Sequence, residues 1–244
     1  MVTGGSRGIG RAVVERLATD GYQVVAAGRD RGALDAVARW ADDAGLAVTT
    51  RVCDVTDEDA VAGLFDTPAD VLVTSAGVSG SAPLHRTTLA DWHRQLDVNA
   101  TGVFLAMRAA LPAMRERDRG RIVVVASVAG LVGAPYIAAY TASKHAAVGL
   151  MRAAASEVAG SGVTVNAVCP AYVDTDMTSQ TIARIVELTG RSTAEARASL
   201  ERMQPLGRLV TPAEVADAVA YLCGEHAAAV NGQTIVLDGG GVQT

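Results

Sequence analysis

A doubly wound (Rossmann-type) α/β fold, one parallel sheet with helices on both faces, is predicted for this chain of 244 residues. Three observations predict it. Short apolar runs alternate with amphipathic stretches from end to end, as in β–α units joined by right-handed crossovers. Several of the apolar runs are nearly continuous, which suits strands covered on both faces. No linker, internal repeat or low-complexity stretch interrupts the alternation, so one domain is expected over residues 1–244.

The strands are expected at 24–27, 47–52, 71–74, 122–126, 164–168 and 234–237, rich in Val and Ile. Helical patterns fall at 11–19, 31–43, 57–65, 92–117, 143–159 and 212–223. A first strand normally needs about five residues, yet only Met1 and Val2 precede Thr3-Gly4. Either the fold tolerates a short central strand or the true start lies upstream. The stretch at about 176–204 reads as a small helical lid, where Ser192-Thr193-Ala194-Glu195 has the form of a capping box.

Composition excludes several classes. Hydrophobic residues make up 50% and aromatic ones only 4%, so the core is built from small side chains. The net charge is −5 with no basic block, which argues against a nucleic-acid partner. No apolar run reaches the roughly 18 residues of a membrane span, and no signal-peptide pattern opens the chain. Cys53, Cys169 and Cys223 are far apart and lack metal-ligand spacing. No metal site is expected, and the free thiols point to a reducing cytoplasm.

The segment Thr3-Gly4-Gly5-Ser6-Arg7-Gly8-Ile9-Gly10 joins a strand stub to a helix. Such a turn lets backbone approach a pyrophosphate, and the helix behind it offers free N–H groups and a positive dipole end. Taken alone it is also an ordinary strand–helix turn. Tyr140 and Lys144 are four apart, on one face of a helix. A phenol near pKa 10 is a poor base at neutral pH, and a neighbouring ammonium lowers its pKa. The pair would then act as acid in carbonyl reduction and base in alcohol oxidation. Similar pairs also occur by chance on many helix surfaces. After the second strand, Ala27-Gly28 lacks the carboxylate usual for NAD, while Arg29, with Arg7, can meet a 2′-phosphate. NADP(H) is therefore preferred, with NAD(H) possible because Asp30 is adjacent.

In the spacing T-G-x-x-x-G-x-G the chain resembles the short-chain dehydrogenase/reductase family. The resemblance runs on through Cys53-Asp54-Val55, Ser75-Ala76-Gly77, Asn99-Ala100-Thr101-Gly102, Ser127, Tyr140-x-x-x-Lys144, the stretch from Val165 to Thr175 and Asp238-Gly239-Gly240. It implies a reversible NAD(P)-dependent oxidoreductase of CH–OH and C=O groups. By resemblance, Gly4, Ser6, Arg7, Gly8, Ile9 and Gly10 hold the cofactor phosphates. Asp54 and Val55 meet adenine, and Ser75, Ala76 and Gly77 line the adenosine side. Ser127 hydrogen-bonds the substrate oxygen, Tyr140 carries the proton, and Lys144 also holds the nicotinamide ribose. Asn99 anchors a water linking Lys144 to solvent, and Pro170, Val173 and Thr175 position the nicotinamide. The chain departs from the family at Thr74-Ser75, usually two asparagines, and at Ala171, often glycine. His85, His93, His145 and His226 match no catalytic position.

Around Ser143-Lys144-His145 and from Val165 to Pro170 the chain resembles the β-ketoacyl-thioester and polyketide ketoreductases. A small-molecule carbonyl or alcohol is the expected substrate, including a CoA or carrier-protein thioester. Arg184, Arg191, Arg197 and Arg202 can meet the phosphates of CoA or form a solvated helix face. Asp118 and Ser161 stand where carrier-protein reductases tend to be basic at the site mouth, which leans toward CoA or a free ketone. The alternatives are an NAD-dependent hydroxyacid or alcohol dehydrogenase and a catalytically silent dinucleotide-binding sensor. A homotetramer is implied by the family. Ala106, Met107, Ala109, Ala110 and Met114, with Ala147, Leu150, Met151, Ala154 and Ala155, are read as a second apolar face or as close packing within one subunit. The C-terminal segment from Gly239 to Thr244 is expected to reach a neighbour's active site.

Overall fold

The computed structural model describes residues 1–243. Seven parallel strands form one sheet in the order β3-β2-β1-β4-β5-β6-β7. They are β1 (Val2–Thr3), β2 (Val24–Gly28), β3 (Val48–Val52), β4 (Val71–Thr74), β5 (Gly120–Val125), β6 (Val163–Pro170) and β7 (Thr234–Leu237). β1 has only two residues and still pairs on both sides, Val2 with Ala26 and Val73, Thr3 with Ala27 and Thr74. Both of its residues are buried.

Nine α-helices surround the sheet among the described residues: α1 (Gly8–Thr19), α2 (Arg31–Asp43), α3 (Glu58–Gly63), α4 (Leu89–Leu96), α5 (Gly102–Glu116), α6 (Ala138–Glu157), α7 (Asp176–Thr189), α8 (Thr193–Arg202) and α9 (Pro212–Cys223). Alternation along the strands sorts the core into two layers. Ile122 and Val124 face α5 and α6, where Met107, Met114, Ala147 and Met151 pack. Val123 and Val125 face the opposite way, toward Val13, Leu17, Leu34 and Val219 of α1, α2 and α9. A third small cluster, Ile182, Ala196, Leu200 and Leu209, ties α7 to α8. α8 carries the expected capping box between Ser192 and Glu195. No described helix is long and apolar enough to cross a membrane.

Four expectations need correction. The helix expected over 92–117 is two helices joined by a π turn, Asp97–Thr101. Its cause is Asn99, which both donates to and accepts from the Val78 backbone, so the helical chain bulges to reach β4's exit loop. The helix expected from 143 begins at Ala138, so Tyr140 lies within it. The proposed second apolar face is largely interior: Ala106, Met107, Ala110, Met114, Ala147, Met151, Ala154 and Ala155 are all buried within the subunit. Small side chains there permit close helix–sheet approach. Finally, Asp118 and Ser161 precede β5 and β6, at the end of the sheet opposite to its ligand-binding edge, where the Asp118 carboxylate accepts from Gly162 N at 2.7 Å. They do not flank the site mouth.

Candidate active site

The C-terminal ends of β4, β5 and β6 open into a cavity of about 650 Å³. Parallel strands leave such a crevice where the connections diverge to opposite faces of the sheet. Ile9, Ser75, Ser127, Tyr140, Lys144, Pro170, Val173 and Thr175 all line it. Residues separated by more than 160 positions thus meet in one space.

Each side chain is held by its element. Ser127 caps the short turn after β5: its hydroxyl accepts from Ala129 N at 3.2 Å and donates to Pro170 O at 3.4 Å. Tyr140 and Lys144 project from the first turns of α6. Lys144 is buried and donates to Val125 O at 3.0 Å, with Nζ 5.8 Å from the Tyr140 ring centroid. Burial pushes the Tyr140 phenol up to about 12, although a hydrogen bond with Ser127 offsets part of the rise. Burial also lowers the Lys144 ammonium to about 8. Withdrawal from water thus opposes the lowering expected from the neighbouring ammonium. The phenol stays protonated at neutral pH.

Asn99 is wholly buried, and its amide is committed to Val78 O, Val78 N and Ser143 Oγ, each at 2.9 Å. Gly77 leaves space between Asn99 and Lys144. A Cβ there would lie 3.4 Å from Asn99 Oδ1 and 3.7 Å from Lys144 Nζ.

The glycine turn is shaped as a dinucleotide requires. Gly4 has φ +69°, and a Cβ on it would lie 2.5 Å from Ala76 N. Gly8 has φ +51° and faces Thr175. Only glycine combines these conformations with such close approach. Arg7, the residue before α1, makes no side-chain cap, which leaves the first N–H groups of the helix for an anion. Ser6 lies against Gly28. Gly10 packs on the turn itself, where a Cβ would meet Gly4 O.

Arg7 in the turn after β1, Arg29 after β2 and Asp54 after β3 stand outside the cavity wall. Arg29 lies 3.7 Å from the Asp54 carboxylate, and Arg7 pairs with Asp30. Val55 is buried against Gly102. Cys53, Cys169 and Cys223 are free and buried, and no group of residues suited to a metal ion occurs among the described residues.

Comparison with known proteins agrees with this geometry. Residues 4–241 match the family model described as enoyl-(acyl carrier protein) reductase. The chain is 40% identical to cis-4-hydroxycyclohexanecarboxylate dehydrogenase of Sinomonas cyclohexanicum, over 98% of this chain and 94% of that protein. It is 37% identical to a 3-oxoacyl-[acyl-carrier-protein] reductase of Mycobacterium bovis, over 98% and 91%. A solved single-substitution variant of actinorhodin polyketide ketoreductase with NADPH superposes with a TM-score of 0.94 at 37% identity, covering 98% of this chain and 95% of that one.

The chain belongs to the short-chain dehydrogenase/reductase family.

This short-chain dehydrogenase/reductase is an oxidoreductase of CH–OH and C=O groups. Its cavity also has walls that sequence reading did not name, apart from the lid residue Arg184. Met177, Gln180, Thr181 and Arg184 line it from one face of α7, and Tyr172, Met203 and Gln204 close a second side. Periodicity marks α7 as a helix but does not say which face meets a cavity. Gly241 and Val242 of the C-terminal segment line this chain's own cavity. Asp238 turns the chain back by accepting from the N–H groups of Gly240, Gly241 and Val242. Thr244, the last residue of that segment, lies outside the described residues. None of the four histidines lines the cavity.

Proposed function

We propose that this chain is an NADPH-dependent ketoreductase that reduces a β-ketoacyl thioester or a small or cyclic ketone, and oxidises the alcohol in reverse. The observation that carries this reading is the meeting of Ser127, Tyr140 and Lys144 in the cavity that Ile9, just behind the glycine turn, also lines. A nicotinamide cofactor held here would supply or accept the hydride. Ser127 Oγ donates to the substrate oxygen as negative charge develops there. Tyr140 delivers its proton to that oxygen, which its raised pKa permits at neutral pH. Lys144 would orient the cofactor ribose, and Asn99 with the π turn would maintain a proton path behind it.

Gly4, Ser6, Gly8, Ile9 and Gly10 would cradle the phosphates. Asp54, Val55, Ser75, Ala76 and Gly77 would hold the adenosine end, and Pro170, Val173 and Thr175 the nicotinamide. Arg29, with Arg7, favours a 2′-phosphate and so NADP(H). α7 and α8 form the lid of the substrate site.

A second reading, an NAD-dependent hydroxyacid or alcohol dehydrogenase, is favoured by the Asp30 carboxylate that engages Arg7. The 40%-identical relative is also named a dehydrogenase. A catalytically silent sensor has no need of Asn99, Ser127, Tyr140 and Lys144 together. Steady-state rates with NADPH and NADH on β-ketoacyl-CoAs, cyclic ketones and diketones test the reading. NADH-dependent turnover alone favours the dehydrogenase, and no turnover of any carbonyl favours the sensor.

Further proposals concern state and place. The partly exposed edge strand β7, with Ile235, Val236 and Leu237, and the exposed Phe104 on α5 support a homotetramer. Light scattering near 100 kDa is expected, from four chains of 25.0 kDa. Free buried thiols support a cytoplasmic enzyme. Neither a nucleic-acid nor a membrane partner is proposed.

A further inference from the structure

The cavity's charge is uneven. Two cations line it among the described residues, Lys144 and Arg184. Lys144 is buried, donates to Val125 O and is the group proposed above for the cofactor ribose. Arg184 is 48% exposed and engages only Glu187, three residues on along the same exposed helix face, at 2.6 Å. Such exposed pairs hold weakly and yield to a better-placed anion.

The other lid arginines do not compete. Arg197 is locked to Asp174 and Glu201. Neither Arg191 nor Arg202 lines the cavity. The anions on the wall are also engaged: Asp91 accepts from its neighbour Arg94 at 3.4 Å, and Asp238 accepts from three backbone N–H groups.

Met177, Gln180, Thr181 and Arg184 follow the i, i+3, i+4, i+7 pattern of one helix face. Arg184 therefore stands about 10 Å along α7 from Met177. Met177 is near the helix end that adjoins Thr175. The face runs from an apolar group near the reacting end to a guanidinium at the far end, with the Gln180 amide between.

We infer that Arg184 selects substrates bearing a single carboxylate distal to the carbonyl, so that the preferred substrate is a small keto acid. This rests on the carbonyl-reductase reading and narrows it. One cation, held only by an exposed pair with Glu187, matches one carboxylate, which a guanidinium can bind through two parallel hydrogen bonds. The several phosphates of CoA would call for a cluster of free cations, which this wall lacks.

The test compares kcat/KM with NADPH for 4-oxocyclohexanecarboxylate and its methyl ester. Wild type should prefer the acid by about tenfold or more, the scale of a charge-assisted hydrogen bond. Arg184→Gln should collapse that preference. Glu187→Gln removes the competing carboxylate and should sharpen it. A further arm compares acetoacetyl-CoA with acetoacetyl-N-acetylcysteamine. A preference for the CoA form that Arg184→Gln abolishes, without any preference for the acid, would assign Arg184 to phosphate and overturn the carboxylate inference. Turnover of acid and ester at equal efficiency, or equal losses for both in Arg184→Gln, overturns this inference alone. Turnover of no carbonyl compound in the set overturns the proposed reaction and this inference with it.

Discussion

Arg197 of α8 grips Asp174 through both terminal guanidinium nitrogens, at 3.1 and 2.7 Å, while its Nε donates to Glu201 at 2.9 Å. Asp174 sits between Val173 and Thr175, so the clamp joins the lid to the loop beside the proposed nicotinamide position. The hydrogen bond from Arg197, aided by its charge, holds the Asp174 carboxyl below its usual range. A carboxylate with a depressed pKa stabilises the fold above the ordinary carboxylate range and loses that contribution as pH falls through its folded value. Both partners are partly exposed, so the global effect is about 0.2–1 kcal/mol. Arg197→Met should leave the melting temperature nearly unchanged while speeding amide exchange in residues 193–202. Unchanged local exchange would show that the clamp does not hold the lid.

Tyr140→Phe should lower turnover by about 10²–10⁴-fold, the range of a general acid–base contribution. NADPH affinity, read by fluorescence titration, should stay near wild type because the ring and its packing remain. Retention of more than roughly a tenth of the chemical rate would remove Tyr140 from the proton-transfer role.

The Lys144 ammonium, lowered by burial to about 8, is charged below that pH and neutral above it. The phenol stays protonated to about 12. Reduction should therefore hold a plateau below about pH 8 and fall above it, as the ammonium that orders the site is lost. Stability moves the opposite way. From about 8 to the ordinary value of 10.5, the unfolded chain binds more protons at this lysine than the folded one. Lys144 thus penalises folding fully below about 8, and the penalty fades as pH rises. The melting temperature of wild type relative to Lys144→Met should rise across that window. A constant difference would show that Lys144 keeps its proton throughout.

Arg29→Ala should weaken NADPH binding more than NADH binding, by on the order of tenfold to a hundredfold for NADPH, the scale of a charged hydrogen bond of about 1.5–3 kcal/mol. The nearby Asp54 carboxylate, 3.7 Å away, moderates the effect. Isothermal titration with both cofactors decides the matter, and equal losses would leave Arg29 no role in selecting the phosphate.

Much of the fold was legible because strand and helix patterns are local. The apolar runs near β2, β4 and β7 needed only neighbouring residues to be read. The expected start of α6 was late because Ile137 offers no side-chain cap to mark it. The division of α4 from α5 was hidden for a related reason. A π turn adds one residue to a helical turn without disturbing composition, and its cause, Val78, lies 21 positions from Asn99.

By itself the sequence determined the alternation of strands and helices, the glycine turn from Thr3 to Gly10 and the Tyr140–Lys144 spacing, since each is a relation among close neighbours along the chain. Tertiary structure alone decided which lid arginine meets the cavity. Arg184 and Arg197 look alike in sequence, yet one lines the wall and the other is consumed by Asp174. It also turned the C-terminal segment back onto its own subunit and buried Lys144 deeply enough to move its pKa. Burial and ion pairing depend on how distant segments dock, and docking sums many weak contacts that no local pattern records.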